Sequence, residues 1–273
     1  MEENLLSYFN RSKYLSIKYK NYFPIYENIF KEYKKKKIIF VEIGVFSGGS
    51  LFMWREFFGK EARIIGVDLN EDALRFKNYG FEVFIGNQSS ADFWKDFFSK
   101  VGPVDIILDD GGHTNYQQII TATCCIPNIK DGGILAVEDV YHSYVKKKNY
   151  NPSKYSFINF CKKIVDDINF RFPSYISVKK FLFSLNRFVY SLEFFEAFVV
   201  FKINKELCDK KNVAISNKGI DISSKDLTHI HNMNIPGSNK LIIKIKKIFK
   251  VFKGNFQYLV FKLNEIELKK YFK

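Results

Sequence analysis

Short apolar runs, each closed by acids or glycines and followed by a segment of helical spacing, set the pattern of most of the chain. Lys37–Ile43 (KIIFVEI) is one such run, with Glu42 near its end, and Ile64–Val67 is another, closing on Asp68. Between them Gly44, Gly48 and Gly49 allow a tight turn and a close approach of backbone to a ligand, and Ser50–Phe58 reads as helix. Phe81–Ile85 predicts a third strand, with Gly86-Asn87-Gln88-Ser89-Ser90 as its terminal loop. Val104–Leu108 predicts a fourth, ending in Asp109-Asp110-Gly111-Gly112-His113, and Ile134–Val137 a fifth, ending in Glu138-Asp139. Helices are predicted over 72–78 with Gly80 as the stop, over 91–99 and over 116–126, and Asp131-Gly132-Gly133 reads as a turn. Buried-type runs alternating with helices predict an α/β fold, a parallel sheet covered on both faces. Ser191–Lys202 (SLEFFEAFVVFK) reads as a closing hairpin, which brings the doubly wound, mostly parallel sheet to seven strands.

The flanks differ in character. Residues 1–36 read as helical, with Tyr22, Phe23, Ile25, Tyr26, Ile29 and Phe30 at helical spacing and Pro24 in a first turn. They would form a lid or packing segment before a catalytic domain over 37–203. Tyr141–Asn151 is a basic, aromatic loop, and Tyr155–Asp167 reads as helix. Residues 204–273 form a basic C-terminal extension. Within it, residues 240–273 hold ten lysines and two glutamates, and Leu241, Ile245, Ile248, Phe249 and Phe252 share one helical face. That is a basic amphipathic helix, suited to an anionic membrane surface or to docking on the domain or a partner subunit.

The whole chain carries 43 basic and 29 acidic side chains, a net +14, which raises nucleic acid and anionic membranes as partners. Lys, Ile, Phe, Tyr and Asn are all abundant, so much of that charge is compositional background. No accessory RNA module is recognisable, and nucleic acid is the weaker expectation. No run of apolar residues is long enough to predict a spanning helix, and the N-terminus opens acidic and polar rather than as a signal peptide. The four cysteines lack metal-site spacing and read as reduced thiols. A cytoplasmic location is expected, with peripheral contact at the inner membrane face through 240–273. The aromatic content leaves room for a homo-oligomer without deciding it.

In an open α/β sheet the site lies beyond the carboxyl ends of the strands. Glu42, Asp68, Asp109, Asp110, Glu138 and Asp139 all fall there. The glycine pattern is neither GxGxxG nor a P-loop, and an acid at Glu42 would repel a pyrophosphate while suiting a cationic sulfonium nucleoside, against NAD. Asp68 is placed for ribose hydroxyls. Glu42 and Asp109 are placed to face an ammonium group or order the glycine loop, Gly44, Gly48 and Ser50 to bind the cofactor, and Gln88 or Ser89 to reach an adenine. Asp110, Glu138 and Asp139 come from two strand ends, and three converging carboxylates call for a hard dication: Mg²⁺, Mn²⁺ or Ca²⁺. His113, three residues after Asp110, is the candidate general base, and His142 is a second candidate near the substrate. His229 and His231 show no evident partners.

The segments VEIGVFSGGSLFMW (41–54), IIGVDLN (64–70), IGNQSS (85–90), ILDDGGHT (107–114) and LAVEDVYHSY (135–144) resemble class I S-adenosylmethionine-dependent methyltransferases. The likeness is to metal-dependent sugar O-methyltransferases of the macrolide-tailoring type and the cephalosporin hydroxylase-like group. It implies a Rossmann-like methyltransferase sheet, S-adenosylmethionine and Mg²⁺ as cofactors (Mn²⁺ as an alternative), Asp110, Glu138 and Asp139 as metal ligands, and His113 as base. Glu42, Gly44, Asp68 and Asp109 match cofactor-site positions. The implied acceptor is a hydroxyl of a sugar or glycoconjugate. A nucleic-acid methyltransferase and a non-catalytic glycan-binding protein at a membrane surface are the competing expectations.

Overall fold

The computed structural model describes residues 4–145, 155–172, 185–213, 215–217 and 219. The chain divides into two compact units, Met1–Asn212 and Val213–Lys273, and the account below concerns the first. The amphipathic helix expected in 240–273, His229, His231 and the end of the 141–151 loop lie outside the described residues.

Seven strands form one sheet: β1 (Ile39–Ile43), β2 (Arg63–Asp68), β3 (Glu82–Ile85), β4 (Val104–Asp109), β5 (Ile129–Val137), β6 (Val189–Phe195) and β7 (Phe198–Ile203). Their order is β3-β2-β1-β4-β5-β7-β6. The first five are parallel, and β7 runs antiparallel to both β5 and β6. The chain leaves β1 toward β2 on one side and returns to β4 on the other, so the switch point where ligands bind in such sheets lies at the tips of β1 and β4.

Side-chain alternation along each strand feeds two cores. Phe40, Ile106, Leu108, Ala136 and Val200 point to one face, where they meet α1 (Leu5–Asn10), α2 (Tyr22–Phe30) and α3 (Gly49–Phe58) through Tyr26, Phe30, Trp54 and Phe58. Val41, Ile107, Leu135, Val137 and Val199 point to the other, against α4 (Ala91–Val101), α5 (Asn115–Cys125) and α6 (Phe157–Phe170) through Trp94, Phe97, Ala122, Phe157 and Cys161. A short α7 (Lys205–Asp209) follows the hairpin.

Residues 1–36 carry the expected N-terminal helices, α1 and α2, joined by a strap that is neither helix nor strand. Two details differ from expectation. Asp131-Gly132-Gly133 lies within β5 rather than in a turn before it. The pairing with β4 jumps from Val104↔Ile129 to Ile106↔Ile134, so these residues form a bulge. The helix after β2 has 3-10 geometry over Glu71–Tyr79, and Gly80 stops it as expected.

The start of α5 matters most for the site. Thr114 caps it: its Oγ1 accepts from the Gln117 N–H, and the Gln117 side chain accepts from the Thr114 N–H, a reciprocal capping box. Thr114→Ala is expected to lower stability by about 1 kcal/mol, read as a shift in denaturant midpoint at unchanged m-value.

No helix among the described residues is long and apolar enough to cross a membrane.

Candidate active site

A cavity of about 640 Å³ opens over the tips of β1, β2 and β4. Gly44, Val45, Asp68, Asn70, Asn87, Asp110 and His113 are among the residues that line it. Its floor depends on Gly44, whose φ is +90° and whose absent Cβ would sit 2.1 Å from the Asp110 carbonyl oxygen. Here the backbones of the first and fourth strand ends touch, which only glycine permits.

The six strand-tip carboxylates divide into different jobs. Asp68 faces the cavity and also builds its wall: Oδ2 accepts from the Val45 and Phe46 N–H groups at 2.7 and 3.2 Å, and Oδ1 from the Asn70 N–H at 2.8 Å. Glu42 turns under the loop. It accepts from Ser50 Oγ at 2.7 Å and Trp54 Nε1 at 3.0 Å, is fully buried, and its carboxyl is pushed up by burial. Its role is to seat α3, so the expectation that its charge meets the ligand does not describe this arrangement. Ser50 lines the cavity while its hydroxyl serves Glu42.

Asp109 is likewise buried, accepting on Oδ1 from Gln88 Nε2 at 2.9 Å and from the Gly111 N–H at 3.2 Å. Burial raises its carboxyl above the usual range. The Gln88 amide is used on both ends, since its Oε1 accepts from the Gly112 N–H at 2.8 Å. Gln88 and Asp109 therefore hold the Gly111-Gly112 turn. Ser89 bonds back to Asn87, and Asn87 and Gln88 both line the cavity. Gly48 closes the turn into α3 and packs on the Phe76 ring.

Asp110, His113 and Asp139 come together. One ligand atom from each lies within 4.8 Å of the others. His113 Nε2 stands 3.5 Å from Asp139 Oδ2 and 3.9 Å from Asp110 Oδ1. Both His113 and Asp139 have left-handed backbones, φ +57° and +55°, and these bends turn the two side chains toward each other. The His142 ring lies parallel to that of His113 with centroids 5.5 Å apart, and the Tyr141 ring stacks with that of His142 at 4.4 Å. Two carboxylates converging at the cavity rim suit a divalent ion, with the His113 imidazole standing beside them.

Glu138 is placed otherwise. Its carboxylate, 1% exposed, meets Lys18 Nζ at 3.1 and 3.2 Å and accepts from the Tyr26 hydroxyl. Burial, then the neighbouring Asp110 charge, pushes the Glu138 carboxyl well up, and Lys18 and Tyr26 oppose this. Lys18 also donates to Asp110 Oδ2 at 2.6 Å and lies 3.7 Å from Glu42. Burial works against its charge, but Asp110, Glu138 and Glu42 outweigh it, and the ammonium's pKa stays above the ordinary lysine value. Tyr22 donates to Asp139 Oδ1 at 2.6 Å.

Lys18, Tyr22 and Tyr26 were missing from the sequence expectations as site residues. Their spacing of four, with a polar tip at each position, is the signal that would have found them. The two tyrosines looked like ordinary members of an apolar helix face, and only the contact with the tip of β5 distinguishes them.

Comparison with known proteins gives a consistent picture. A family model described as a methyltransferase domain matches residues 41–140. The 8-demethyl-8-alpha-L-rhamnosyl tetracenomycin-C 2'-O-methyltransferase of Streptomyces olivaceus is 29% identical over 157 residues, 54% of this chain and 41% of that protein. The mycinamicin VI 2''-O-methyltransferase of Micromonospora griseorubida is 31% identical over 132 residues, 44% of this chain and 32% of that protein. Among solved structures, the MycE methyltransferase from the mycinamycin biosynthetic pathway, in complex with Mg and SAH, superposes with a TM-score of 0.65 at 22% identity. That match covers 77% of this chain and 54% of the other. The chain thus spans less than half the length of these curated relatives. The tips of β1, β2, β4 and β5 all fall within the matched residues 41–140, so the candidate site is carried by a methyltransferase domain built on a seven-stranded Rossmann-like sheet.

Proposed function

We propose that this protein transfers a methyl group from S-adenosylmethionine to a hydroxyl of a sugar or glycoconjugate, assisted by a divalent ion. The observation that carries the proposal is continuity: Gly44, Asp68, Asp110 and His113 line one cavity, so a nucleoside held at the glycine turn ends beside the acid–histidine group. Relatives of this chain bear names of O-methyltransferases, one acting on a rhamnosyl tetracenomycin, and a solved neighbour is titled as a complex with Mg, SAH and mycinamycin VI.

In this reading Asp68 receives the ribose hydroxyls, and the Gly44 turn takes the amino-acid end. Asp110 and Asp139 would hold the ion. Glu138 joins them as an expected ligand once released from Lys18. A dication bound there supplies Lewis acidity that lowers the pKa of an acceptor hydroxyl. His113 Nε2, facing both acids, takes the proton from the acceptor as its oxygen attacks. The sulfonium methyl needs no further activation, so the remaining work of the protein is alignment of oxygen, carbon and sulfur. A cytoplasmic location, and membrane contact through residues 240–273, belong to the same proposal and rest on the sequence alone.

A polyanionic acceptor is disfavoured by the rim. The ionised groups lining the cavity include two carboxylates, Asp68 and Asp110, against one guanidinium, Arg75. Calorimetric titration with S-adenosylmethionine and with NAD tests the proposal. Saturable binding of the first only is expected, together with loss of methyl transfer in EDTA and its recovery on adding Mg²⁺. Full transfer in EDTA would rule out the metal-assisted reading.

A further inference from the structure

The strap between α1 and α2 crosses the cavity mouth, and Lys18 fastens it there. Its early part is pinned to the start of α3: Ser12 Oγ donates to the Gly49 carbonyl at 2.7 Å, and the Gly49 N–H donates to the Leu15 carbonyl at 3.2 Å. Ser16 and Ile17 then line the cavity. Exposure alternates: Leu15, Ile17 and Tyr19 face outward, Ile17 at 72%, while the Lys18 side chain is 2% exposed. A lysine on an exposed strap is ordinarily solvated. This one is threaded inward to three acids.

Those acids include Asp110, which lies on both sides of the boundary. Its Oδ2 is bonded to Lys18 and its Oδ1 faces His113. A divalent ion held by Asp110 and Asp139 beside His113 would share a carboxylate with the ammonium, in a place where water does little to screen their repulsion. Glu138 is held by the same ammonium on both oxygens. We propose that Lys18 is an internal counter-cation that competes with a divalent ion for Asp110 and Glu138, so that ion binding loosens the strap over the cofactor cavity and strap closure weakens ion binding. The inference rests on the reading above that these acids take a dication, but not on methyl transfer. Coupling of this kind is reciprocal, so either side can be measured.

The test is Mn²⁺ binding followed by electron paramagnetic resonance, without cofactor or acceptor, on the full chain, on Lys18→Met and on Lys18→Met/Glu42→Gln. The double variant keeps the net charge of the wild-type cluster, and glutamine at 42 can still bond Ser50 and Trp54, so it remains folded if the single variant does not. Both variants are expected to bind Mn²⁺ about tenfold tighter or more, since Lys18 no longer occupies Asp110. Saturating Mn²⁺ is expected to raise hydrogen exchange across residues 12–21 of the wild type. Wild-type affinity in the folded double variant, no binding in any of the three, or exchange that Mn²⁺ leaves unchanged would each overturn the proposal. Failure of S-adenosylmethionine to bind, with the Mn²⁺ gain present, would sink the methyl-transfer reading and leave this one standing.

Discussion

His113→Asn is expected to reduce methyl transfer by about a thousandfold, the range spanned by removal of a positioned general base. Affinity for S-adenosylmethionine should stay within about threefold. Asparagine is the informative replacement because His113 sits at φ +57°, a region asparagine tolerates better than most residues. It removes the imidazole without straining the turn. Asp139→Asn is its companion, for the same backbone reason at φ +55°. Its amide oxygen can still accept from Tyr22, while the charge facing His113 Nε2 at 3.5 Å is gone. A similar fall in turnover with cofactor binding retained is expected. Single-turnover assays beside calorimetry check both variants, and wild-type turnover in either would remove its residue from the proposed reaction.

Gly44→Ala is expected to act on stability and binding together. A Cβ at this position would stand 2.1 Å from a backbone oxygen, that of Asp110, not from a side chain that can swing away. The neighbouring backbone is also tied: the Gly44 N–H donates to the Val67 carbonyl at 2.8 Å and the Asp110 N–H to the Ile43 carbonyl at 3.0 Å. Relief therefore requires separating the tips of β1 and β4. The left-handed φ of an alanine adds roughly 1–2 kcal/mol by itself, and the clash brings the expected loss to about 3 kcal/mol or more. Because Asp110 moves with its carbonyl, cofactor affinity and ion binding should both drop. Denaturant melts with and without S-adenosylmethionine report the two effects separately. A variant with wild-type stability would show that the strand tips are not in contact.

Much of the scaffold was readable in the residues themselves. The runs ending in Asp68, Asp109 and Glu138 became β2, β4 and the end of β5, and the SLEFFEAFVVFK segment became the β6–β7 hairpin. Buried parallel strands have to be continuous apolar runs, and their ends have to be polar, so both leave strong local marks. The gathering of His113 with Asp110 and Asp139 was also anticipated, since crossover topology sets adjacent strand tips side by side. What spacing could not show was the direction of each carboxylate. Glu42 and Asp109 point into the protein and Glu138 to Lys18, and a turn of one side chain separates a ligand from a structural anchor.

The sequence alone determined the order of strands and helices and the edge of the sheet where chemistry collects, because hydrophobic periodicity and chain connectivity are local properties. Tertiary structure alone decided which acids remain open to a ligand. That choice depends on Lys18, Tyr22 and Tyr26 reaching the tips of β4 and β5 from the far end of the chain. Contacts between residues 92 to 120 positions apart leave at most a spacing of polar tips along one partner, with nothing in the sequence to name the other. They exist because burying a charge demands an opposite one nearby, wherever in the chain it originates.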